Sequence, residues 1–240
     1  MITKCKALWQ QAFGDTEEMV DLFFRTAFDP THSHQILENN TPVSALYWLD
    51  YFRGKERFAY IYAVATEKAF RGQGYFHKLM IRTHEILKKQ GYAGAIVVPA
   101  EPGLVGLYER LGYQCFYSAK LREIVAEGYI PVEKISWEVY AAARESYIPG
   151  QLQPGNALYA YLSGFGEFYQ TENSIFALSK QGDTLYFQEF LGESRELPGI
   201  TASLQAEKAF VRFPEENTPF AFFCPFTDVT KPDYFALPLD

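Results

Sequence analysis

The chain has 240 residues, 48% of them hydrophobic and 17% aromatic, which allows a sizeable core in one large domain or two small ones. A formal net charge of −7 gives no bulk electrostatic support to a nucleic-acid partner. Cys5, Cys115 and Cys224 form neither a CxxC pair nor a disulfide framework, so a reducing, cytoplasmic setting is expected. The opening residues do not read as a signal peptide, and no uninterrupted apolar stretch approaches the roughly 18 residues of a membrane helix, so no membrane partner is expected.

The first helix is expected in FGDTEEMVDLFFRTAF, where Asp15 and Glu18 are spaced as a capping box and Met19, Leu22, Phe23 and Thr26 recur at helical spacing. The β-rich runs HQIL, PVSALYWLDYF and RFAYIYAVAT, separated by the turn-forming ENNT and RGKE, predict an antiparallel meander. After Arg71 the spacing predicts an amphipathic helix. Phe76, Leu79, Met80, Thr83, Ile86 and Leu87 line one face, charged residues the other, and Gly91 ends it. GAIVVPA reads as a strand buried on both faces, PGLVGLYERLG as a helix between Pro102 and Gly112, and YQCFYSAKL as a further strand.

The character of the chain changes near Glu127 and Gly128, giving expected domains of 1–126 and 127–240. In the second part a helix is expected from Pro131 to the stop at Pro149, and a weaker one in NALYAYLSGFGEFY. A hairpin should turn at Gln181 to Asp183, and KAFVRFP, AFFCPF and DYFALPL read as strands. The whole is an α+β pattern.

One turn carries chemistry. The first N–H groups of a helix lack internal partners and sit at the positive end of its dipole. Glycines let a phosphate approach that backbone, and an arginine adds fixed charge. Arg71, Gly72, Gln73, Gly74 and Tyr75 place these features between a strand and a helix, which suits a pyrophosphate. From Gly-x-Gly alone, a tight turn with a solvated arginine stays open as the alternative. A Rossmann site fits worse, because the third glycine of its motif would fall at His77 and the meander upstream is no βαβ unit.

RGQGYF resembles the Arg/Gln-x-x-Gly-x-Gly/Ala signature of the GNAT superfamily of acyl-CoA-dependent N-acetyltransferases, and GLYERLGY resembles its LYxxxGF segment. WQQAFGD, YAVAT, RGQG and VPA are similar to the branch that contains the enhanced-intracellular-survival acetyltransferases, over roughly residues 1–125. The resemblance implies the GNAT fold, a mixed central sheet flanked by helices, followed by a second, degenerate GNAT-like unit that helps shape the acceptor side. It implies acetyl-CoA as acyl donor, no metal, and a primary amine on a small molecule or peptide as acceptor. It assigns the pantetheine arm and thioester carbonyl to the backbone of Val64, Ala65 and Thr66, and the general acid to Tyr108. Two positions depart from the pattern: Phe76 stands where Gly or Ala is usual, and Glu101 where many members have asparagine.

No motif marks a general base. Glu38, Asp50, Glu56 and Glu101, and in the second half Glu189 and Asp240, are the carboxylates considered. His32, His34, His77 and His84 carry no metal spacing, and Cys115 reads as a core residue. A homo-oligomer stays open. The rival to an enzyme is a non-catalytic module that binds acyl-CoA and contacts a protein through its second domain.

Overall fold

The computed structural model describes residues 2–239 and divides into two compact units that interleave in sequence. One comprises the chain up to Gln114, then Pro154–Tyr161 and Phe222–Lys231; the other comprises Cys115–Gln153, Leu162–Ala221 and the chain from Pro232. The break expected at 126/127 falls within a run that belongs to the second unit.

The first unit opens with two helices where one was expected. Helix α1 (Ile2–Phe13) buries Cys5, Leu8 and Trp9, and α2 (Glu17–Thr26) buries Val20, Leu22 and Phe23. The α2 cap is Thr16, whose side chain accepts from the Met19 N–H at 3.3 Å. Asp15 is not the cap; it accepts from the Trp9 indole N–H at 2.6 Å. Strands β1 (Ser33–Glu38), β2 (Thr41–Arg53) and β3 (Glu56–Thr66) form the expected antiparallel meander. Asn39 and Asn40, at φ 48° and 59°, make the two-residue turn between the first two strands. Helix α3 (Tyr75–Lys89) leads to β4 (Gly94–Val97), wholly buried and parallel to β3. A 3₁₀ turn and the short α4 (Val105–Glu109) follow, and β5 (Gln114–Val125) carries the chain into the second unit.

The second unit contains β6 (Glu133–Ile135) and α5 (Trp137–Tyr147), capped by Ser136. The helix expected from Pro131 therefore starts later, because residues 133–135 pair with 168–170. Next come β7 (Gln153–Pro154), α6 (Asn156–Leu162) and β8 (Glu167–Gln170). The expected hairpin is β9 (Ser174–Gln181) with β10 (Thr184–Gly192). Helix α7 (Leu197–Ser203) follows, then β11 (Lys208–Pro225). KAFVRFP and AFFCPF are thus one strand. DYFALPL forms no strand, although Phe235 to Pro238 are buried. The core of this unit includes Phe176, Leu178, Leu185, Phe187, Leu197 and Ile200.

The order β10, turn, α7, β11, with β10 and β11 parallel, repeats the order β3, turn, α3, β4 of the first unit. Both units are mixed sheets flanked by helices. No helix among the described residues is long and apolar enough to cross a membrane.

Candidate functional site

The site is built on the end of β3. Its parallel pairing with β4 covers Phe58↔Gly94, Ala59↔Ala95 and Tyr60↔Ile96, yet β3 runs six residues further, to Thr66. That last part stays paired with β2 on the other edge, through Ala45↔Ala65 and Ser44↔Thr66, after a bulge at Ala63, which sits at φ 48°. Ser44 Oγ donates to the Ala65 carbonyl at 3.1 Å, and the Glu67 N–H donates to the Val43 carbonyl at 2.9 Å. Strand alternation then directs the N–H groups of Val64 and Thr66 to the edge that β4 has left.

The turn after β3 is held from several sides. Arg71 Nε donates to the Thr66 carbonyl at 3.0 Å, Gln73 Nε2 to the Ala69 carbonyl at 2.8 Å, and the Tyr75 hydroxyl to Glu38 Oε1 at 2.7 Å. Gly72 and Gly74 adopt φ 75° and 81°, which side chains rarely tolerate, and a Cβ at either would meet only open space within 4 Å. The first bond into the helix runs from the Lys78 N–H to the Gly74 carbonyl at 3.0 Å. The N–H groups just before it are those a helix start leaves for an anion. Beside the turn lies a cleft of about 200 Å³, lined by Thr66, Glu67, Lys68 and Arg71 and, on α1, by Leu8, Gln11 and Ala12. These α1 residues were missed. The recurrence of Cys5, Leu8 and Trp9 was the available signal.

Tyr108 is buried on α4, at 6% exposure. Its ring packs edge-on against Phe76 at 5.4 Å and Tyr113 at 5.7 Å. Phe76, on the first turn of α3, thus brings Tyr108 beside the glycine turn 34 positions earlier in sequence (108 − 74). Burial pushes the Tyr108 phenol up to about 12.

Most carboxylates considered as bases have structural partners. Asp50 accepts from the Tyr92 hydroxyl at 2.6 Å and pairs with Arg57 at 2.8 Å. Glu56 pairs with Arg53 at 2.9 Å, and Glu38 holds Tyr75. Glu101 is exposed, and its carbonyl starts the 3₁₀ turn by accepting from Leu104 N–H. Glu189 is buried against Arg144 in the second unit, and Asp240 lies outside the described residues. Among the histidines, His34 Nδ1 meets Thr83 Oγ1 and His84 Nε2 meets the Tyr113 hydroxyl, each at 2.9 Å. The described residues contain no group of three or more His, Cys, Asp or Glu able to hold a metal.

The second unit has the same order of elements around a different turn. There Glu193, Ser194, Arg195 and Glu196 follow β10, and α7 has only seven residues. Glu196 is 7% exposed and accepts from Thr171, Asn173 and Ser174. Carboxylates at this position oppose a phosphate.

Residues 1–116 match the family described as Acetyltransferase (GNAT) domain. The fold is similar to a GCN5-related N-acetyltransferase from Anabaena variabilis, with TM-score 0.70 and 15% identity over 92% of this chain and 69% of that one. It is also similar to Eis1 from Mycobacterium abscessus, with TM-score 0.63 and 10% identity over 91% and 69%. A tandem GNAT protein from the clavulanic acid biosynthesis pathway gives TM-score 0.59 and 10% identity over 95% and 96%. No curated protein matches. At these identities the structural likenesses speak for the fold, a GNAT architecture carried through both units, while the matched segment speaks for the family. The chain thus has the GNAT fold, and its residues 1–116, just under half of it, are similar to the GNAT acetyltransferase family.

Proposed function

We propose that the first unit transfers an acetyl group from acetyl-CoA directly to a primary amine, on a small molecule or a peptide. The observation that carries this reading is the unpaired end of β3 leading into the glycine turn of α3. A free strand edge suits the amide-bearing pantetheine arm, and a helix start with two glycines and Arg71 suits a pyrophosphate.

Acetyl-CoA would supply an activated thioester. The chain's residues do the rest. Arg71 and the backbone of Gly72, Gln73, Gly74 and Tyr75 hold the pyrophosphate. The Val64 and Thr66 N–H groups donate to the thioester carbonyl as negative charge develops on its oxygen, and Ala65 keeps the strand registered on β2. Tyr108 gives its proton to the departing sulfur. Because Asp50, Glu56 and Glu38 are engaged, the amine loses its proton to water rather than to one of them. That same engagement favours the second reading, a module that binds acyl-CoA without turnover.

Calorimetry with CoA tests the turn. Gly74→Glu adds bulk and negative charge at open, exposed backbone and should abolish CoA binding while the chain still folds, with a circular dichroism melt lowered only by the strain of a side chain at φ 81°. Unchanged affinity would remove the reading. Acetyl-CoA consumption with a panel of primary amines separates the enzyme from the binding module.

A further inference from the structure

Tyr108 is held differently from Tyr75, Tyr92 and Tyr113. Their hydroxyls are tied within the protein, to Glu38 at 2.7 Å, to Asp50 at 2.6 Å and to His84 Nε2 at 2.9 Å. The Tyr108 hydroxyl meets no hydrogen-bond partner among the described residues, and burial is the one influence on its acidity. Its backbone is fixed, because its carbonyl accepts from the Leu111 N–H at 2.9 Å and the Tyr113 N–H at 3.2 Å. The direction of the phenol therefore rests on what packs against the ring.

Two rings meet it edge-on, Phe76 at 5.4 Å and 84° and Tyr113 at 5.7 Å and 78°. Their own anchors differ. Tyr113 is 1% exposed and tied to His84, whose ring lies 5.1 Å from that of Phe226. Phe76 is half-buried on the first turn of α3, two positions after Gly74, and among the described residues Tyr108 is the one ring it meets. Its place is set by the helix start, where the Lys78 N–H donates to the Gly74 carbonyl at 3.0 Å and the buried Leu79 and Met80 follow. A glycine or alanine at position 76 would lack the atoms to reach the Tyr108 ring. With that side uncovered and the hydroxyl untied, the phenol would gain side-chain rotamers.

We propose that Phe76 is a positioning residue for Tyr108, its ring holding the phenol in the direction from which the hydroxyl gives its proton to the departing sulfur. This rests on acetyl transfer as the reaction and on Tyr108 as its acid. As the carbon–sulfur bond breaks, the sulfur takes the electron pair and the Tyr108 O–H proton, and water later returns a proton to the phenolate. A misplacement of the donor by about 1 Å is enough to slow such a step by about 100-fold. Because Phe76 follows Gly74 so closely, the turn that takes the pyrophosphate also sets where the proton donor points.

A double-mutant cycle on the full chain decides it, read as CoA released from acetyl-CoA with water or a primary amine as acceptor, beside calorimetric affinity for CoA. Phe76→Ala should lower kcat by about tenfold or more, while KM for acetyl-CoA and the affinity for CoA stay within several-fold of the parent. Phe76→Leu, which still fills the space beside the ring, should recover most of that loss. In a Tyr108→Phe background, Phe76→Ala should change kcat little, because the proton it positions is already gone. Full kcat in a folded Phe76→Ala overturns the proposal. So does an equal loss in both backgrounds, which would make Phe76 a residue of the turn or the core. If Tyr108→Phe itself keeps full turnover, the acid assignment fails and this proposal with it, whereas a parent chain that releases no CoA fails acetyl transfer at the outset and overturns both. Should Phe76→Ala not fold, Phe76→Val takes its place in the cycle, with the same sign expected and the same results overturning it.

Discussion

Tyr108 keeps its proton because its surroundings are apolar. Burial alone raises the phenol to about 12, so the group is protonated at neutral pH and has a proton to give. Tyr108→Phe retains the ring contacts with Phe76 and Tyr113 and removes the proton. Acetyl transfer should fall by about 100-fold or more, in the range of general-acid contributions, while calorimetric affinity for CoA stays as in the parent. Full turnover would make Tyr108 structural and water the proton source. His84 shows the opposite shift. Burial, with a smaller effect from Lys88, brings its imidazole down to about 4, and it sits against the Tyr113 hydroxyl. An unfolded chain protonates this histidine near pH 6.5, whereas the folded one resists until about pH 4. Its contribution is therefore complete above pH 6.5 and is lost as the pH falls towards 4, to an extent of about 3 kcal/mol. Urea midpoints measured from pH 7 to 4.5 should fall more steeply for the parent than for His84→Gln. Equal slopes would mean that His84 is not held neutral.

At the scale of elements, α2 offers a simple check of where a helix starts. Thr16→Ala removes the acceptor for the Met19 N–H and should cost about 1 kcal/mol in urea unfolding. A loss near zero would return the cap to Asp15. The misplacement is instructive. Asp15 and Glu18 have capping-box spacing, but Trp9 lies six residues back on an unexpected helix and takes the Asp15 carboxylate. Local pattern was sufficient for α3, whose glycines, apolar stripe and Gly91 stop are all within its own sequence; it missed only His84 on the buried face. The glycine turn was legible for the same reason. Pattern failed where a partner far along the chain decides. Residues 133–135 are a strand because residues 168–170 pair with them, not because Glu-Lys-Ile favours one. The 18-residue β11 passes through Glu215, Glu216 and Asn217, which read as a break. Tyr234 to Leu239 form an apolar run that reads as a strand, yet the backbone bond from Leu237 to Gln188 is made with Leu237 at φ 56°.

For the whole molecule, interleaving sets what a shortened chain can do. A cut after residue 126 follows the change in composition, and by sequence alone it spares everything from α1 to β5. The first unit also uses two later segments. Phe222 to Pro225 pair antiparallel with Val97 to Gly94 along the edge of β4 opposite β3. Tyr161 packs edge-on against Phe23 at 5.4 Å and lies 6.5 Å from Tyr62, within the aromatic cluster around Trp9. The Gly155 N–H donates to the Asp50 carbonyl at 2.8 Å, and Arg53 NH2 reaches the Thr230 carbonyl at 2.7 Å. A chain ending at residue 126 would leave one edge of β4 unpaired, in a strand whose four residues are all buried, and would uncover Phe23 and Phe58, both now at or below 1% exposure. An apolar open edge of this kind recruits other chains. The 1–126 fragment should therefore aggregate or lack a cooperative melt, even though it contains the whole GNAT signature and Tyr108. Size-exclusion chromatography and near-UV circular dichroism read both outcomes. A monomeric fragment with a sharp melt and parent-like CoA affinity would show that residues 154–161 and 222–231 are dispensable to the first unit.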